Sequence, residues 1–283
     1  MSKIGLLVCG NSGIDYIDHS YDIDVIRSIL LVGGKEYTDY VDISAEAFYQ
    51  MLEDDKTLSP STAQAATGVI LEQYEAMAKK GYDELLVVTI SKQLSGTYEG
   101  CLLAAKLIDD VKVTVFDSKS VSYPETKMIL TAAKMLESGK TLDEIIERLE
   151  YIRDNNRILF SVSTLRYLVK NGRLSGASGF VGSMLKIKPM LEVTKDGRVE
   201  AIEKIRTLSK ATARLIEKFT DELGDQDADV FIISAHADDR ANAVKKAVFE
   251  ARPDLKDISI YPLTPVVGAH AGPGVVGIGY ILK

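Results

Sequence analysis

Leu85-Leu-Val-Val-Thr-Ile-Ser-Lys-Gln-Leu-Ser-Gly-Thr-Tyr98 is the stretch on which the fold turns. Residues 85–88 form a continuous apolar run of strand length, and residues 98–108 carry a helical pattern. A fully apolar strand that runs straight into a helix is the unit of a parallel sheet covered on both faces. Between strand and helix lie Ser91, Ser95, Gly96 and Thr97. Hydroxyls together with free backbone N–H groups at a helix start can hold an anion or a carbonyl oxygen. The competing reading is a plain helix cap, because serine and threonine satisfy such N–H groups in many helices.

Outward from this stretch the first half keeps the same rhythm. Strand candidates are Ile4–Cys9 and residues 26–32, 84–90 and 111–116. Helical patterns cover residues 45–52, 63–80, 124–137 and 142–155. Gly81 after two lysines reads as a helix stop, and Thr141-Leu-Asp-Glu144 has the spacing of a capping box. The expected fold class is α/β, with an N-terminal α/β/α domain on a mostly parallel sheet.

After residue 156 the pattern changes. Residues 187–194 and 198–206 are strand-like and joined by Lys195-Asp-Gly197, a hairpin turn signal. Helical residues 208–223 and 239–251 alternate with apolar residues 230–234 and 258–262, and residues 275–282 form a last strand. This predicts a C-terminal α+β domain with a mixed or antiparallel sheet. With the weak boundary at residues 153–157, the expected domains are 1–157 and 158–283.

Composition excludes several classes. The chain has 283 residues, 46% hydrophobic and 27% charged, as in an ordinary globular protein. Its net charge of −7 disfavours nucleic acid as a partner. The two cysteines, Cys9 and Cys101, make neither a zinc site nor a disulfide framework and point to a reducing compartment. The N-terminus lacks a signal-peptide core, and no apolar run approaches the roughly 20 residues that span a bilayer. The expectation is a cytoplasmic protein with no transmembrane segment, no metal and no cofactor.

Three further segments could carry chemistry. Ser59-Pro-Ser-Thr62 is a second hydroxyl cluster before a helical pattern, so two mouths would face one ligand at the C-terminal ends of parallel strands. Val266-Val-Gly-Ala-His270-Ala-Gly-Pro-Gly274 surrounds a histidine with small residues, reading either as a close-approach loop or as a tight turn. Arg166, Lys170, Arg173, Lys186, Lys188, Lys204 and Arg206 concentrate positive charge in an acidic chain. Such runs are usually solvated faces, but here the local sign opposes the global one and suits an anionic group or acidic partner. A Gly-x-Ser-x-Gly elbow is missing, since Leu94-Ser-Gly96 lacks the first glycine. Walker A, Rossmann and metal-ligand spacings are missing too. The sequence makes a poor case for a self-contained enzyme.

Taken together, several segments resemble the DegV family of bacterial fatty-acid-binding proteins. They are Gly34-Lys-Glu-Tyr-Thr-Asp39, Pro60-Ser-Thr-Ala-Gln64, Ile90-Ser-Lys-Gln-Leu-Ser-Gly-Thr97, Phe116-Asp-Ser-Lys119, residues 168–172 with Arg173, Lys188-Pro189, Ile205-Arg-Thr207 and residues 270–277. Their order and spacing extend over nearly the whole chain. The resemblance implies a long-chain fatty acid held in a tunnel between two domains. It also implies a separate ATP-dependent kinase subunit that phosphorylates the carboxylate and feeds phospholipid synthesis. Carried over by motif, Thr62 and Ser95 would bond the head group, Gly96 would add a backbone donor, Ser91 is a nearby candidate and His270 would sit alongside. Arg173 and Arg206 match positions tied to the kinase or to phosphate. The chain departs from the family's Thr-Ser-Gln-Pro-Ser at Thr62-Ala-Gln-Ala-Ala66, from a first-loop aspartate at Asn11, and from glycines at Ser122-Tyr-Pro-Glu125. Ala63, Ala65 and Ala66 put head-group geometry in question more than fold.

Energetics suit such a ligand. A tail of about 14 methylenes gains on the order of 10 kcal/mol gross on burial. Each neutral head-group contact adds only about 1 kcal/mol net. Two other readings stay open at this stage. One is a stand-alone acyl or phosphoryl transferase, or hydrolase, using Ser95 and His270. The other is a regulatory binding protein for a different amphiphile.

Overall fold

The computed structural model describes residues 3–180 and 187–283. The first half contains β1 (Ile4–Cys9), β2 (Asp24–Ile26), β3 (Ile29–Val32), β4 (Lys35–Thr38), α1 (Ala45–Asp54), β5 (Ser61–Ala63) and α2 (Thr67–Lys79). It continues with β6 (Glu84–Thr89), α3 (Thr97–Ala105), β7 (Lys112–Asp117), α4 (Tyr123–Glu137) and α5 (Leu142–Asp154). The second half contains β8 (Asn156–Ser161), α6 (Arg166–Lys170), β9 (Met190–Val193), β10 (Val199–Glu203) and α7 (Leu208–Leu223). There follow β11 (Ala228–Ser234), α8 (Asp238–Ala251), β12 (Ile258–Pro262), α9 (Pro265–Ala271) and β13 (Val276–Leu282).

The first sheet is parallel throughout, in the order β2-β1-β6-β7. Its central strands show why the quoted run is apolar at every position. Leu85 and Val87 face a core shared with Tyr74 of α2 and Cys101 of α3. Leu86 and Val88 face the opposite core, where Met128 and Ile129 of α4 and Leu149 of α5 pack. A strand buried on both faces cannot alternate with polar residues.

The second sheet has six strands in the order β10-β9-β8-β13-β11-β12, antiparallel except for β11 beside β12. Val230 and Ile232 bury under Leu215 and Phe219 of α7 and Val244 and Val248 of α8. Phe231 and Ile233 point the other way, into the apolar core that α4 and the first sheet also line. The bare face of the second sheet is thus covered by the first half of the chain. The fold is the expected α/β arrangement, a parallel sheet with helices followed by a mixed sheet.

Local expectations hold at the helix ends. Thr141 N–H donates to Glu144 Oε2 at 2.9 Å and Glu144 N–H to Thr141 Oγ1 at 3.3 Å, closing the capping box. Gly81 follows α2 in the left-handed region, at φ 82°.

Four segments depart from the sequence reading. Residues 26–32 are two strands, because the chain leaves the first sheet at Arg27 and Ser28 to enter a three-stranded sheet, β4-β3-β5. Arg27 is held there by Asp15 at 2.5 and 2.7 Å. Residues 61–63 pair antiparallel with β3, Thr62 opposite Leu30, so α2 starts only at Thr67. Tertiary pairing overrides the helical pattern. Residues 156–161 lie outside every predicted strand, yet they form β8, inside the second sheet between β9 and β13. Asn156 Nδ2 donates to the carbonyls of Ile152 and Arg153 and ends α5 at the strand's first residue. Finally, the small-residue tail around His270 is a helix, α9, capped by Thr264 Oγ1, which accepts from Val267 N–H.

Candidate functional site

Where the C-terminal ends of the parallel strands meet the bare face of the second sheet, a cavity opens. It encloses about 900 Å³ of empty space, counting the solvent at its mouth. Its wall is largely apolar: Ile90 and Val121 come from the first half, and Ile158, Phe160, Ile233 and Val275 from the second.

Polar groups gather at one place on this wall. Thr62 on β5 and His270 on α9 meet through Thr62 Oγ1 and His270 Nε2 at 2.8 Å. Ser95 lies on the turn into α3 and also lines the cavity. Arg173, just after α6, completes the group. Its Nε donates to the Leu94 carbonyl at 2.6 Å and its Nη1 to the Asn171 carbonyl at 2.7 Å. Asn171 in turn donates to the carbonyls of Pro60 and Ala269, so one short segment ties β5, the Ser95 turn and α9 together. Asn11, Ser28 and Ser122 add polar atoms to the wall, and Asn11 Nδ2 is buried without a partner among the described residues.

The electrostatics of the group are one-sided. Burial, with the Arg173 guanidinium nearby, lowers His270 to about 4. At neutral pH the imidazole is therefore neutral and arginine supplies the positive charge. His270 Nδ1 is buried and unpaired among the described residues. A carboxylate brought to this place meets a hydroxyl pair, a neutral imidazole and a fixed cation.

The other expected residues take different places. Ser91 is fully buried and absent from the cavity wall; its Oγ donates to the Gly197 carbonyl at 2.8 Å and accepts from Gln93 N–H at 3.2 Å. It joins the turn to the β9–β10 hairpin, which the Lys195-Asp-Gly197 signal located but whose docking site it could not show. Gly197 has φ 86°, and a Cβ there would sit 2.1 Å from Ser91 Oγ, so both backbone and space require glycine. Gly96 is exposed at the N-terminus of α3, and a Cβ there would meet Gln64 Oε1 at 2.4 Å. Arg206 is exposed beyond β10 and does not line the cavity.

The cationic segment acts partly as a clasp. Arg166 donates to the Lys56 and Thr57 carbonyls, Lys170 to Ser59 Oγ, and Lys188 to the Ser163 carbonyl. Lys186 lies outside the described residues. Ser95 Oγ pairs with Thr97 Oγ1 at 2.8 Å, while His270 Nε2 is engaged by Thr62. A Ser95–His270 nucleophile–base pair is not formed. Asn11, Leu94 and the strand-face residues of β8, β11 and β13 were missed as wall residues. Residues 158–160 and 231–233 are apolar throughout, so no alternation in the sequence tells which face lines the cavity.

An α/β protein with an apolar cavity between its two larger sheets, and polar groups gathered at one place on the wall, is the class these features define. Residues 15–283 match the family described as "Uncharacterised protein, DegV family", and the chain belongs to that family. A DegV domain-containing protein of Clostridium acetobutylicum is 32% identical over 279 residues, 98% of each chain. Among solved structures, a fatty acid binding DegV family protein from Streptococcus agalactiae superposes with a TM-score of 0.90 at 25% identity, covering all of both chains. A DegV family protein from Thermus thermophilus, described for its fatty acid binding, gives 0.88 at 26% identity over 99% of this chain and all of that one.

Proposed function

We propose that the protein binds one long-chain fatty acid, its tail in the cavity and its carboxylate at Thr62, Ser95 and His270 beside Arg173. The observation that carries this reading is the cavity itself: a long apolar wall with the Thr62–His270 pair and Arg173 gathered at one place on it. The two relatives described as fatty acid binding support it, with the same fold over the full chain. Burying about 14 methylenes at about 0.8 kcal/mol each supplies the affinity. The polar group sets which end points outward.

The chain then presents its carboxylate to a separate ATP-dependent kinase subunit, whose acyl phosphate product serves phospholipid synthesis. Neutral donors suit a carrier whose head group changes from carboxylate to acyl phosphate. Thr62 and Ser95 bond either form, His270 can take up a proton as negative charge grows, and Arg173 offsets it. The exposed Arg206 is assigned to the face that meets the kinase. The reading treats residues 1–157 and 158–283 as two domains whose seam is the binding site.

Native mass spectrometry of the purified protein tests the first part. A bound mass in the range of a long-chain fatty acid is expected, and a delipidated chain that takes up no fatty acid overturns the reading. Acyl phosphate formation with a fatty-acid kinase subunit and ATP tests the second part, and failure there while binding persists removes only the kinase role.

A further inference from the structure

Strand register on the bare face of the second sheet sets out the cavity wall in rows. Phe160, Gly277 and Ile233 lie side by side across β8, β13 and β11, and all three line the cavity. One step further along, the row is Ile158, Gly279 and Phe231. Here the wall changes. Ile158 still lines the cavity, together with Val193 and Val199 of the β9–β10 hairpin, but Gly279 and Phe231 do not.

The reason is a ring laid over a glycine. A Cβ at Gly279 would lie 2.1 Å from the Arg157 carbonyl oxygen and 2.4 Å from Phe231 Cζ, so the neighbouring strand and the Phe231 ring together fill the space above Gly279. Phe231 is fully buried and fixed from behind. Tyr123 packs on it at 4.9 Å between ring centroids, and Tyr261 stacks on Tyr123 at 4.2 Å. At Gly277 the wall is left low: an added Cβ would come 3.2 Å from Phe160 Cβ and 3.4 Å from the Leu159 carbonyl. Past Gly277 on this sheet face, the lining continues at Ile158, Val193 and Val199 and not at Gly279 or Phe231.

We propose that Phe231, seated on Gly279, is the stop that sets the length of the bound acyl tail and turns its end toward Val193 and Val199, with Gly277 as the gap over which the tail passes. The proposal rests on the fatty-acid reading above, and it names the residues that select among chains of one chemical class.

The test is competition between saturated fatty acids of increasing length for the delipidated protein, read by native mass spectrometry. Phe231→Leu should raise the affinity ratio of a longer to a shorter acid by about tenfold for two added methylenes. Gly277→Ala keeps the ring but raises the gap, and should shift the ratio toward shorter acids by a severalfold factor. Because Phe231 is a core residue, Gly277→Ala carries the test if the first variant does not fold. A wild-type length ratio in either folded variant overturns the stop. Absence of any fatty acid binding by the unsubstituted protein would instead overturn the proposed function.

Discussion

The two walls of the cavity are built by opposite means. On the first half, Thr62 on β5 apart, most of the wall comes from chain that has just left a strand: Ile90 and Ser95 after β6, Val121 and Ser122 after β7, Asn11 after β1. On the second half, much of it comes from strand faces: Ile158 and Phe160 of β8, Val193 of β9, Val199 of β10, Ile233 of β11 and Gly277 of β13. Segments beyond strand ends can aim hydroxyls and backbone donors in several directions, and they carry chemistry. Strand faces present a fixed, regularly spaced apolar surface. In the proposed function, this difference gives head-group recognition mainly to loops and short elements and tail recognition to a sheet.

Breaking the tail wall should cost most. Val193→Asp sets a carboxylate against the tail, and fatty acid affinity should fall by more than about a hundredfold, since an unpaired charge in an apolar site costs several kcal/mol. Fluorescent fatty acid displacement measures it, and a loss of tenfold or less would mean the tail does not pass the hairpin. Breaking the head-group wall should cost less in affinity. Thr62→Ala with Ser95→Ala removes two neutral contacts of about 1 kcal/mol each, so binding weakens by roughly tenfold to thirtyfold. Acyl phosphate formation by a kinase subunit should fall further, because positioning is lost as well.

Two smaller effects sharpen the contrast. Glu125, in the first turn of α4, is fully buried with no partner for either carboxyl oxygen among the described residues. Burial and then the nearby Asp117 carboxylate push it well above the usual carboxylate range. It therefore keeps its proton in the folded protein where the unfolded chain loses it, above about pH 4.3. Stability falls as pH rises from there toward the folded value. Glu125→Gln should remove that dependence and stabilise by about 1–3 kcal/mol at neutral pH, visible in denaturant midpoints. At the other wall, His270 should titrate near 4 by NMR, lowered by burial and then by Arg173. Arg173→Gln should move it upward. Because the unfolded chain protonates at about 6.5 and the folded one only near 4, His270 weakens the fold as pH drops through that window.

Much of this was legible from the chain. Residues 85–88 announced a strand buried on both sides, and the capping box at Thr141 placed α5. What stayed hidden depended on distant pairing. Thr62 looked like the start of a helix, and only its bonds to β3 make it a strand residue facing His270. Ser91 and Ser95 share one turn and one residue type. No local rule could tell that a glycine 106 residues away takes the first hydroxyl and leaves the second to the cavity. Asn156–Ser161 was obscured because helix and strand abut without a glycine or proline between them.

The join between the halves is spelled largely in main-chain acceptors. Arg166, Asn171, Arg173 and Ser91 donate to the carbonyls of Lys56, Thr57, Pro60, Leu94 and Gly197. A carbonyl is present whatever side chain its residue bears. At these contacts the acceptor loops are thus free to drift in sequence while the two halves stay in register, and the donors and Gly197 are held to their residue types. Selection can retune the loops around the ligand without renegotiating the architecture that holds it.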